Sequence, residues 1–576
     1  MIDSPRGGSA ADGEDENHGS ASLSESFPTL LVSGAVCKTV HLADMQLCEA
    51  SRLVMNTDDK PKDSTQTMAD LTVGCFIAEA LFITGLICIL TYHLRRLKLY
   101  IKASKFRGPP TIPIVGNAHH FIGNNGEIVQ KLIDLSDSYP SPYRIWLGPE
   151  LLIMVSHPED VKVIIYRLIS ISIHTAHNIA EALQRPAIWR IHRKLIGPTF
   201  NLKILESFVS VFAAQSSIMV KKMETELNGG EFVIFKYVSL CAMDIICETA
   251  MGVSMGAQSN NSGDYIETVE KTFAIIYQRV FKAWLQYDAI FYRTRLGREQ
   301  KKCLNVLHDF TNNVIRRKKE ALLRKRDNRD ATTDHKYDED DSLPPRRKAY
   351  LDLLMELTDN QMKFTDQELR EEVDTMIVAG HDTTSNMICS VLLMLASHPD
   401  VQEKAYRELE EIYGSSKVEE RCVTHEDLSR MGYLERVIKE TMRVFPIAAT
   451  VSRAVTEDFD VGEYTLPKGS IVGIDIIKMH RSEEFWPDPF VFDPDRFLPQ
   501  EIAKRHSCVY LPFSAGPRNC IGSRFAMMEM KTVLATILRR YIIKKDKITP
   551  IADIKLKSDV ILKAADPIKL RIKERT

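Results

Sequence analysis

Apolar and polar positions divide the chain into three parts. Residues 1–67 are rich in Ser, Gly and Thr and hold eleven acidic and five basic residues, so we expect this extension to be disordered. A nearly continuous apolar run then extends from Leu71 to Tyr92. As a helix it would be about 33 Å long, which is enough to cross a bilayer. We therefore predict a transmembrane anchor, with its basic flank, over residues 68–107.

The apolar run has two other interpretations, a buried core helix and a cleaved signal peptide, and Glu79 inside it opposes membrane insertion. The run is longer than a signal core and a basic flank follows it, which favours a membrane span. The basic residues of this flank are Arg95, Arg96, Lys98, Lys102, Lys105 and Arg107. Because positive flanks stay on the cytosolic side, we expect the downstream chain in the cytosol and the extension in the lumen.

The body of the chain, residues 108–576, has a mainly helical pattern. It opens with GPPTIPIVGN, whose prolines predict a stiff, non-helical connector. Apolar residues at helical spacing predict helices over 203–227, 298–324, 365–397, 398–413 and 425–445. β-Branched residues predict a minor sheet within 459–477, and the charged stretch 324–348 predicts an exposed loop. The predicted fold class is therefore mainly α with a small β part.

Composition and charge narrow the class of protein. Hydrophobic residues make up 44% and charged residues 26% of the chain, the balance of a folded globular protein. The formal net charge of −2 provides no basic field, so we expect no nucleic-acid partner. The eleven cysteines are scattered, without CxxC pairs or Cys/His clusters at zinc spacing, which indicates a reduced, cytosolic body.

The strongest chemical signal is the segment PFSAGPRNCIG, residues 512–522, which places Cys520 in a turn-rich loop ahead of a predicted helix. Free N–H groups and the macrodipole at a helix N-terminus stabilise a thiolate, so we expect a lowered pKa for Cys520 and a sulfur able to bind metal. Gly516 and Gly522 allow turns and the close approach of a flat ligand. A loop cysteine on its own is more often a buried apolar filler.

The spacing F-x-x-G-x-R-x-C-x-G, carried by Phe513, Gly516, Arg518, Cys520 and Gly522, resembles the haem-binding loop of the cytochromes P-450. The resemblance implies that the chain binds haem b, with the Cys520 thiolate as ligand of the iron and Phe513 shielding the sulfur. It extends from residue 108 to the C-terminus and implies a single haem-thiolate monooxygenase fold behind the anchor. Phrases such as CAMDIICETAMG are similar to the branch of microsomal fatty-acid ω-hydroxylases and many insect enzymes.

A second motif pairs Glu440 with Arg443 on one face of a predicted helix. Such an i,i+3 pair is usually a solvated surface pair. In the family, however, an E-x-x-R pair at this point contacts an arginine of a downstream P-x-R-F segment, which corresponds here to Arg496. The resemblance therefore implies a buried, structural cluster that orders the cysteine loop.

The third motif is AGHDTT, residues 379–384, within a long predicted helix. Adjacent threonines compete for backbone carbonyls and predict a local opening of the helix that could hold a water molecule. The motif resembles the oxygen-activating helix of the family. The resemblance implies that Ala379 and Gly380 leave room for dioxygen, that Asp382 relays protons and that Thr383 donates to the bound oxygen. The alternative is an ordinary packed helix.

The remaining cofactor contacts also follow from the resemblance. Trp189 and Arg193 match the family's pair for the haem propionates, and Arg453 and Arg518 are further candidates. In the ω-hydroxylase branch the position of Ala379 often carries a glutamate that forms an ester to the haem. Alanine cannot form this ester, so the haem is expected to be non-covalent apart from the thiolate–iron bond.

The chain departs from the family pattern in two places. The branch usually has a Gly-rich W-L-G-x-G-L-L stretch before Trp189, whereas residues 167–188 read RLISISIHTAHNIAEALQRPAI and are shorter. Either the pocket is remodelled or the gene model is faulty. Met68 is similar to the family's usual start, so residues 1–67 are either a disordered extension or an artefact of the gene model.

The resemblance implies a single-pass protein of the endoplasmic reticulum membrane with a cytosolic catalytic domain. We expect it to contact membrane lipids and to insert one oxygen atom of O2 into a lipophilic substrate: a fatty acid, terpenoid, hormone or xenobiotic. No GxGxxG fingerprint is evident, so electrons are expected from an NADPH-cytochrome reductase, with a cytochrome b-type donor as a further partner. Candidate reductase contacts are Arg190, Lys194, Arg524 and Lys531.

Two other functions stay open at this point. One is a haem-thiolate isomerase or dehydratase, which would need no reductase. The other is a non-catalytic haem or lipid binder, if the altered segment 167–188 leaves no working pocket.

Overall fold

The computed structural model describes residues 64–112, 114–168, 186–260, 263–330, 350–359, 365–414 and 420–575. Nearly all of the predicted disordered extension, and nearly all of the unusual stretch 167–188, lie outside the described residues. Both expectations therefore stay predictions. Helices dominate the described part of the chain, so the predicted class, mainly α with a small β part, is confirmed.

The elements are numbered in chain order. The α-helices are α1 Ser64–Ala103, α2 Asn125–Ser138, α3 Pro158–Arg167, α4 Pro186–Ile196, α5 Leu202–Met223, α6 Phe235–Ile246, α7 Ala257–Asn260, α8 Gly263–Phe281, α9 Asp288–Phe291, α10 Arg295–Asp330, α11 Tyr350–Asp359, α12 Asp366–Ser397, α13 Pro399–Tyr413, α14 His425–Arg430, α15 Gly432–Val444, α16 Ile476–Arg481, α17 Pro499–Ala503 and α18 Ser523–Arg540. The strands are β1 Tyr143–Leu147, β2 Glu150–Val155, β3 Phe232–Val233, β4 Thr450–Ala454, β5 Phe459–Val461, β6 Tyr464–Leu466, β7 Ile471–Asp475, β8 Tyr541–Lys544, β9 Leu556–Asp559, β10 Ile561–Ala564 and β11 Lys569–Glu574.

Helix α12 is the central element of the body. A capping box satisfies its first N–H groups, because the Thr365 side chain accepts from Glu368 N while the Glu368 side chain accepts from Thr365 N. Every residue from Thr384 to Ala396 is buried, so this half of the helix lies inside the core rather than on its surface. Helix α6 packs against α12, and α18 packs against α5. Each fully buried Leu or Ile side chain in this core contributes about 1.5–3 kcal/mol.

The largest sheet has the strand order β1-β2-β7-β4. Strand β2 is antiparallel to β1 and parallel to β7, and β4 is antiparallel to β7. Smaller sheets are formed by β5 with β6, by β9 with β10, and by β3, β11 and β8. Strands β5, β6 and β7 confirm the β structure predicted within residues 459–477, but they belong to two different sheets and not to one.

The predicted helices are present, with two differences at their ends. The helix predicted over 425–445 is two helices, α14 and α15, because the backbone leaves the helical region at Met431. The loop predicted over 324–348 begins later than expected, because α10 continues to Asp330, and residues 331–349 lie outside the described part of the chain. The charges that indicated a loop are compatible with an exposed helix end.

The chain divides into two compact units at Arg95/Arg96, inside helix α1. The segment Phe76–Ala103 is long and apolar enough to cross a membrane, and no residue of its apolar window is buried, with Phe76 and Phe82 at 72% and 69% exposure. Leu202–Glu226 meets the same length and composition criteria, but half of its window is buried in the core of the body. The domain boundary predicted at residues 107/108 stays a prediction.

Candidate active site

A cavity of about 430 Å³ lies between α12, α18, α4 and the cysteine loop, and we call it the first cavity. It brings together nine of the residues predicted from the sequence, from segments far apart in the chain. These are Trp189, Arg193, Ala379, Gly380, Thr383, Phe513, Arg518, Cys520 and Gly522. The rest of its lining is mainly apolar and includes Ile246, Met387 and Phe525. The predicted residues Asp382, Arg453, Gly516, Glu440, Arg443 and Arg496 are not part of this lining.

The cysteine loop is held by its own backbone and by helix α4. Cys520 N donates to Phe513 O at 2.9 Å, which closes the loop. The Arg193 guanidinium donates to Asn519 O at 3.0 Å and to Asn519 Oδ1 at 2.8 Å. Gly516 has φ +69°, and a Cβ there would lie 2.8 Å from Ile165 O in α3, so only glycine fits. The turn predicted at Gly516 is confirmed, and its missing Cβ leaves room for the backbone of Ile165.

The electrostatics of Cys520 differ from the expectation. Burial raises the pKa of the Cys520 thiol, and the Gly522 N–H and the Arg193 guanidinium lower it by smaller amounts. The expectation that the helix N-terminus would set a low pKa for Cys520 is therefore wrong for the polypeptide alone, because the N–H of the cap residue Gly522 lowers this pKa by less than burial raises it. A coordinated metal ion deprotonates such a thiol outright.

The side of the first cavity next to α4 is cationic. The guanidinium of Arg518 lies 3.5 Å from the centre of the Trp189 ring. Burial and the neighbouring Arg453, Arg190 and Arg193 lower the pKa of Arg518 to about 10. Mutually repelling arginines beside an apolar cavity are a fitting place for the carboxylates of a flat apolar ligand, which would relieve the repulsion. The residues present therefore fit a haem group with two propionates.

Arg453 is close to this group without lining the cavity. Its side chain is buried, and it donates to Leu168 O at 3.1 Å and to Ser452 O at 2.9 Å. Its charge still contributes to the lowered pKa of Arg518. Arg453 therefore affects the site through its positive charge, and it holds the end of α3 through its hydrogen bond to Leu168 O.

One wall of the first cavity belongs to α12. The Thr383 hydroxyl donates to Ala379 O at 2.7 Å, and that of Thr384 donates to Gly380 O at 2.8 Å. The threonines thus bond backbone carbonyls as expected, but the helix is α-helical from Asp366 to Ser397, so the predicted local opening is not seen. A Cβ on Gly380 would lie 2.5 Å from Ile246 Cδ1 of α6. The missing side chain accommodates this helix contact.

Asp382 points away from the first cavity. Its carboxylate accepts from Asn386 Nδ2 at 3.0 Å, and burial raises the pKa of Asp382 to about 7. Lys563 lowers this pKa, while Glu270 and Asp559, which pair with Lys563 at 2.6 and 3.3 Å, raise it. Among the described residues, no contact therefore links the Asp382 carboxylate to the first cavity, as a direct proton relay would need.

The E-x-x-R cluster is fully buried. Arg443 Nε and Nη2 donate to the two oxygens of Glu440 at 2.7 and 2.8 Å, and both side chains have 0% exposure. Arg443 also donates to His480 O at 2.9 Å and Pro489 O at 2.7 Å. Arg496 Nε lies 3.5 Å from Glu440 Oε1. The alternative of a solvated surface pair does not hold.

Sequence reasoning missed three polar contacts at or next to the first cavity. His192 Nδ1 lies 2.8 Å from Glu372 Oε1, and the Tyr350 hydroxyl donates to Glu372 Oε2 at 3.1 Å. The Thr384 hydroxyl lies 3.2 Å from Oε1 of Glu529, whose pKa burial raises. An acid inside the apolar stretch of α18 was a visible signal for Glu529. The His192 contact joins three helices and has no local signal.

Comparisons with known proteins agree with this geometry. The family model described as Cytochrome P450 matches residues 106–572. Cytochrome P450 4d1 of Drosophila melanogaster is 35% identical over 88% of this chain and 99% of its own length. Cytochrome P450 4V2 of Mus musculus is 38% identical over 82% of this chain and 91% of its length, and Cytochrome P450 4c21 of Blattella germanica is 35% identical over 88% and 100%.

Proposed function

The chain belongs to the cytochrome P450 family and is an oxidoreductase of its monooxygenase class, and on that premise we propose the activity in finer terms. It is a membrane-bound enzyme that inserts one oxygen atom of O2 into a lipophilic substrate, with electrons from an NADPH-dependent reductase. The observation that carries the proposal is that Cys520 of the cysteine loop and Thr383 of the AGHDTT motif line one apolar cavity.

The family implies a haem held by a cysteine thiolate, which is Cys520 in this proposal. Arg193, Arg518 and Trp189 would hold the propionates, and Phe513 would shield the sulfur. When bound, a thiolate-ligated haem supplies oxygen activation strong enough for unactivated C–H bonds. We propose haem b, which is non-covalent apart from the thiolate–iron bond.

The polypeptide contributes proton placement and the exclusion of water. The Thr383 hydroxyl borders the cavity and can exchange its hydrogen bond to Ala379 O for one to a ligand, because a hydroxyl rotates freely. Ile246, Met387 and Phe525 give the cavity apolar walls that favour a lipophilic substrate. Asp382 would act only indirectly, through its effect on α12.

The partners follow from exposure and charge. The exposed apolar segment Phe76–Ala103 supports a single membrane anchor, which we place in the endoplasmic reticulum with the body in the cytosol. Arg190, Lys194 and Arg524 are exposed and stay candidate reductase contacts. Lys531 is not one, because it is buried, donates to Leu428 O at 3.0 Å and pairs with Glu435 at 2.5 Å.

The test is turnover of the full chain with reductase, NADPH and ¹⁸O2 on a panel of fatty acids and terpenoids. We expect an NADPH-dependent product that carries one labelled oxygen atom. Rearrangement of a lipid hydroperoxide without NADPH, and no labelled product with it, would instead indicate the isomerase or dehydratase. Haem binding without either reaction would indicate a binding protein.

A further inference from the structure

A second cavity, of about 380 Å³, lies between α2, the β9–β10 hairpin and the end of β7. Ala449 and Thr450 line it, whereas the preceding residues Ile447 and Ala448 line the first cavity. Leu562 N of β10 donates to Ile447 O at 2.8 Å and fixes this segment. One short stretch of chain is therefore the common wall of the two cavities.

The walls of the second cavity are mostly apolar. Leu132, Ile133, Phe281 and Leu562 are typical of its lining. At its edge, Phe490 and Val560 are 43% and 48% exposed, so the cavity opens to the surface of the body. Its volume is in the range of small-molecule sites, which are mainly apolar with a few polar groups that fix orientation.

One group of polar side chains in the second cavity surrounds Asp475. The Ser136 hydroxyl donates to Asp475 Oδ2 at 2.8 Å, and Lys478 N donates to Oδ1 at 3.2 Å. Burial raises the pKa of Asp475, whose side chain is 4% exposed. Burial and the nearby Asp475 carboxyl raise the pKa of Tyr143, which is 2% exposed. An apolar cavity thus ends in a buried carboxyl, a hydroxyl and a buried phenol.

The charges around the second cavity disfavour an anionic ligand. Lys478 already pairs with Asp137. Arg481 donates through Nε at 2.9 Å and through Nη2 at 2.5 Å to Val444 O. Glu483 adds a further carboxylate to the lining. A ligand carboxylate would meet acids and engaged cations, and a ligand ammonium would have to form an ion pair inside an apolar cavity, at a desolvation cost.

We propose that the second cavity binds a neutral lipophilic alcohol, with its hydroxyl between Asp475 and Tyr143 and its hydrocarbon part along the apolar wall. A hydroxyl suits this end because it donates to one group and accepts from another. The alcohol site goes beyond the monooxygenase activity and does not depend on turnover. Its shared wall with the first cavity makes it a second compartment for a lipid, next to the one that holds the reacting substrate.

The site is tested with octan-1-ol, octanoate and octylammonium, which share one chain and differ in head group. The full-chain holoenzyme is saturated with an azole that binds the haem iron, and the shift of haem absorption shows that the azole is bound in the first cavity. Binding of each radiolabelled probe is then measured by equilibrium dialysis. We expect about one equivalent of octan-1-ol per chain, with the two charged probes at least about tenfold weaker.

Two variants locate the binding. Tyr143→Phe should weaken octan-1-ol by about tenfold, because a buried hydrogen bond is lost. The matched control is Tyr139→Phe, whose ring centre is 6.3 Å from that of Tyr143 and which is not in the cavity lining; it should leave binding unchanged. Asp475→Asn keeps a residue that can cap α16 and should strengthen octanoate by about tenfold.

Equal or tighter binding of octanoate or octylammonium by the unmodified chain would overturn the proposal. So would the absence of saturable octan-1-ol binding, or full binding by Tyr143→Phe. If Tyr143→Phe fails to fold, as judged by its carbon monoxide spectrum, Ser136→Ala takes its place. An absent azole shift would contradict the proposed haem site, and the alcohol site would still be judged by the same variants.

Discussion

Two arginine clusters of this protein each place a guanidinium near a tryptophan ring, and they differ in electrostatics. Arg443 lies 5.2 Å from the centre of the Trp486 ring, and Arg518 lies 3.5 Å from that of Trp189. Arg443 has a bidentate contact with Glu440 and two carbonyl acceptors. Burial lowers the pKa of Arg518, and the neighbouring Arg453, Arg190 and Arg193 lower it further.

The difference separates scaffold from site. A buried cation whose charge is matched by the polypeptide contributes to one fixed packing arrangement, and its removal leaves a buried charge without compensation. Cations that repel one another lower the stability of the folded chain and are stabilised by an anionic ligand. We therefore expect changes at Arg443 to affect unfolding and changes at Arg518 to affect haem retention.

The largest effect is expected when the iron ligand is removed while both clusters stay intact. Cys520→Ala or Cys520→His should abolish the thiolate-type spectrum of the reduced carbon monoxide complex, because no other cysteine lines the described part of the first cavity. Cys422→Ala, at an exposed cysteine, is the control and should keep the spectrum. An unchanged spectrum in both Cys520 variants would refute the ligand assignment.

The next largest effect is expected when the buried pair of Arg443 and Glu440 is changed. Arg443→Gln removes the cation that pairs with the buried Glu440 and should destabilise the fold by about 3–5 kcal/mol, measured by urea unfolding of the haem-free chain. Arg436→Gln, in the same helix, is the control, since Arg436 pairs with the half-exposed Asp495 at 3.3 Å and should change little. Equal stability of the two variants would remove the distinction between the clusters.

A change at Arg518 should have the opposite effect on the stability of the haem-free chain. Arg518→Gln removes a cation that three others repel, so the haem-free chain should unfold at the same or a higher urea concentration. Haem affinity should fall by about tenfold to a hundredfold, because a charge-assisted hydrogen bond to a propionate is lost. Transfer of haem to an acceptor protein measures this affinity. Normal haem retention with lowered chain stability would assign Arg518 to the scaffold.

A smaller effect on turnover is expected from a change in the α12 wall of the first cavity. Thr383→Ala should keep haem and substrate binding but lower the product formed per NADPH by about tenfold, because the hydroxyl no longer places a proton. Ser385→Ala is the control, because its buried hydroxyl donates to Asp382 O at 3.2 Å and is not in the cavity lining. Normal coupling in Thr383→Ala would contradict the proposed role.

The sequence was sufficient to predict residues whose contacts depend on a fixed spacing along the chain. The cysteine loop and the E-x-x-R pair depend on neighbours in the chain or on one helical turn, and the structure has them as expected. Asp382 shows the limit: it adjoins Thr383 in sequence, but successive residues of a helix point about 100° apart, so it faces Lys563 instead of the cavity. Nothing near Asp382 in the sequence indicates that partner.

Burial was the other property that pattern alone could not settle. Lys531 looked like a docking residue, yet its ammonium is buried because Glu435 and a carbonyl satisfy it. The contact of His192 with Glu372 likewise requires α4 and α12 to be packed together. Both contacts are set by tertiary structure, which local spacing does not encode.

The last and smallest effect concerns how the haem is held. Ala379 borders the first cavity and has no nucleophilic group, so the arginine cluster, Cys520 and packing are all that we expect to retain the haem. Acidic organic solvent should then extract all haem from the unmodified chain. Ala379→Glu places a carboxylate at this wall and should leave a small fraction of haem attached after turnover. Ala379→Gln has the same size without that carboxylate and is the matched control. Haem that stays with the unmodified chain through extraction would show that a covalent bond, and not the cationic cluster, dominates retention, and the contrast between the two clusters would lose its functional meaning.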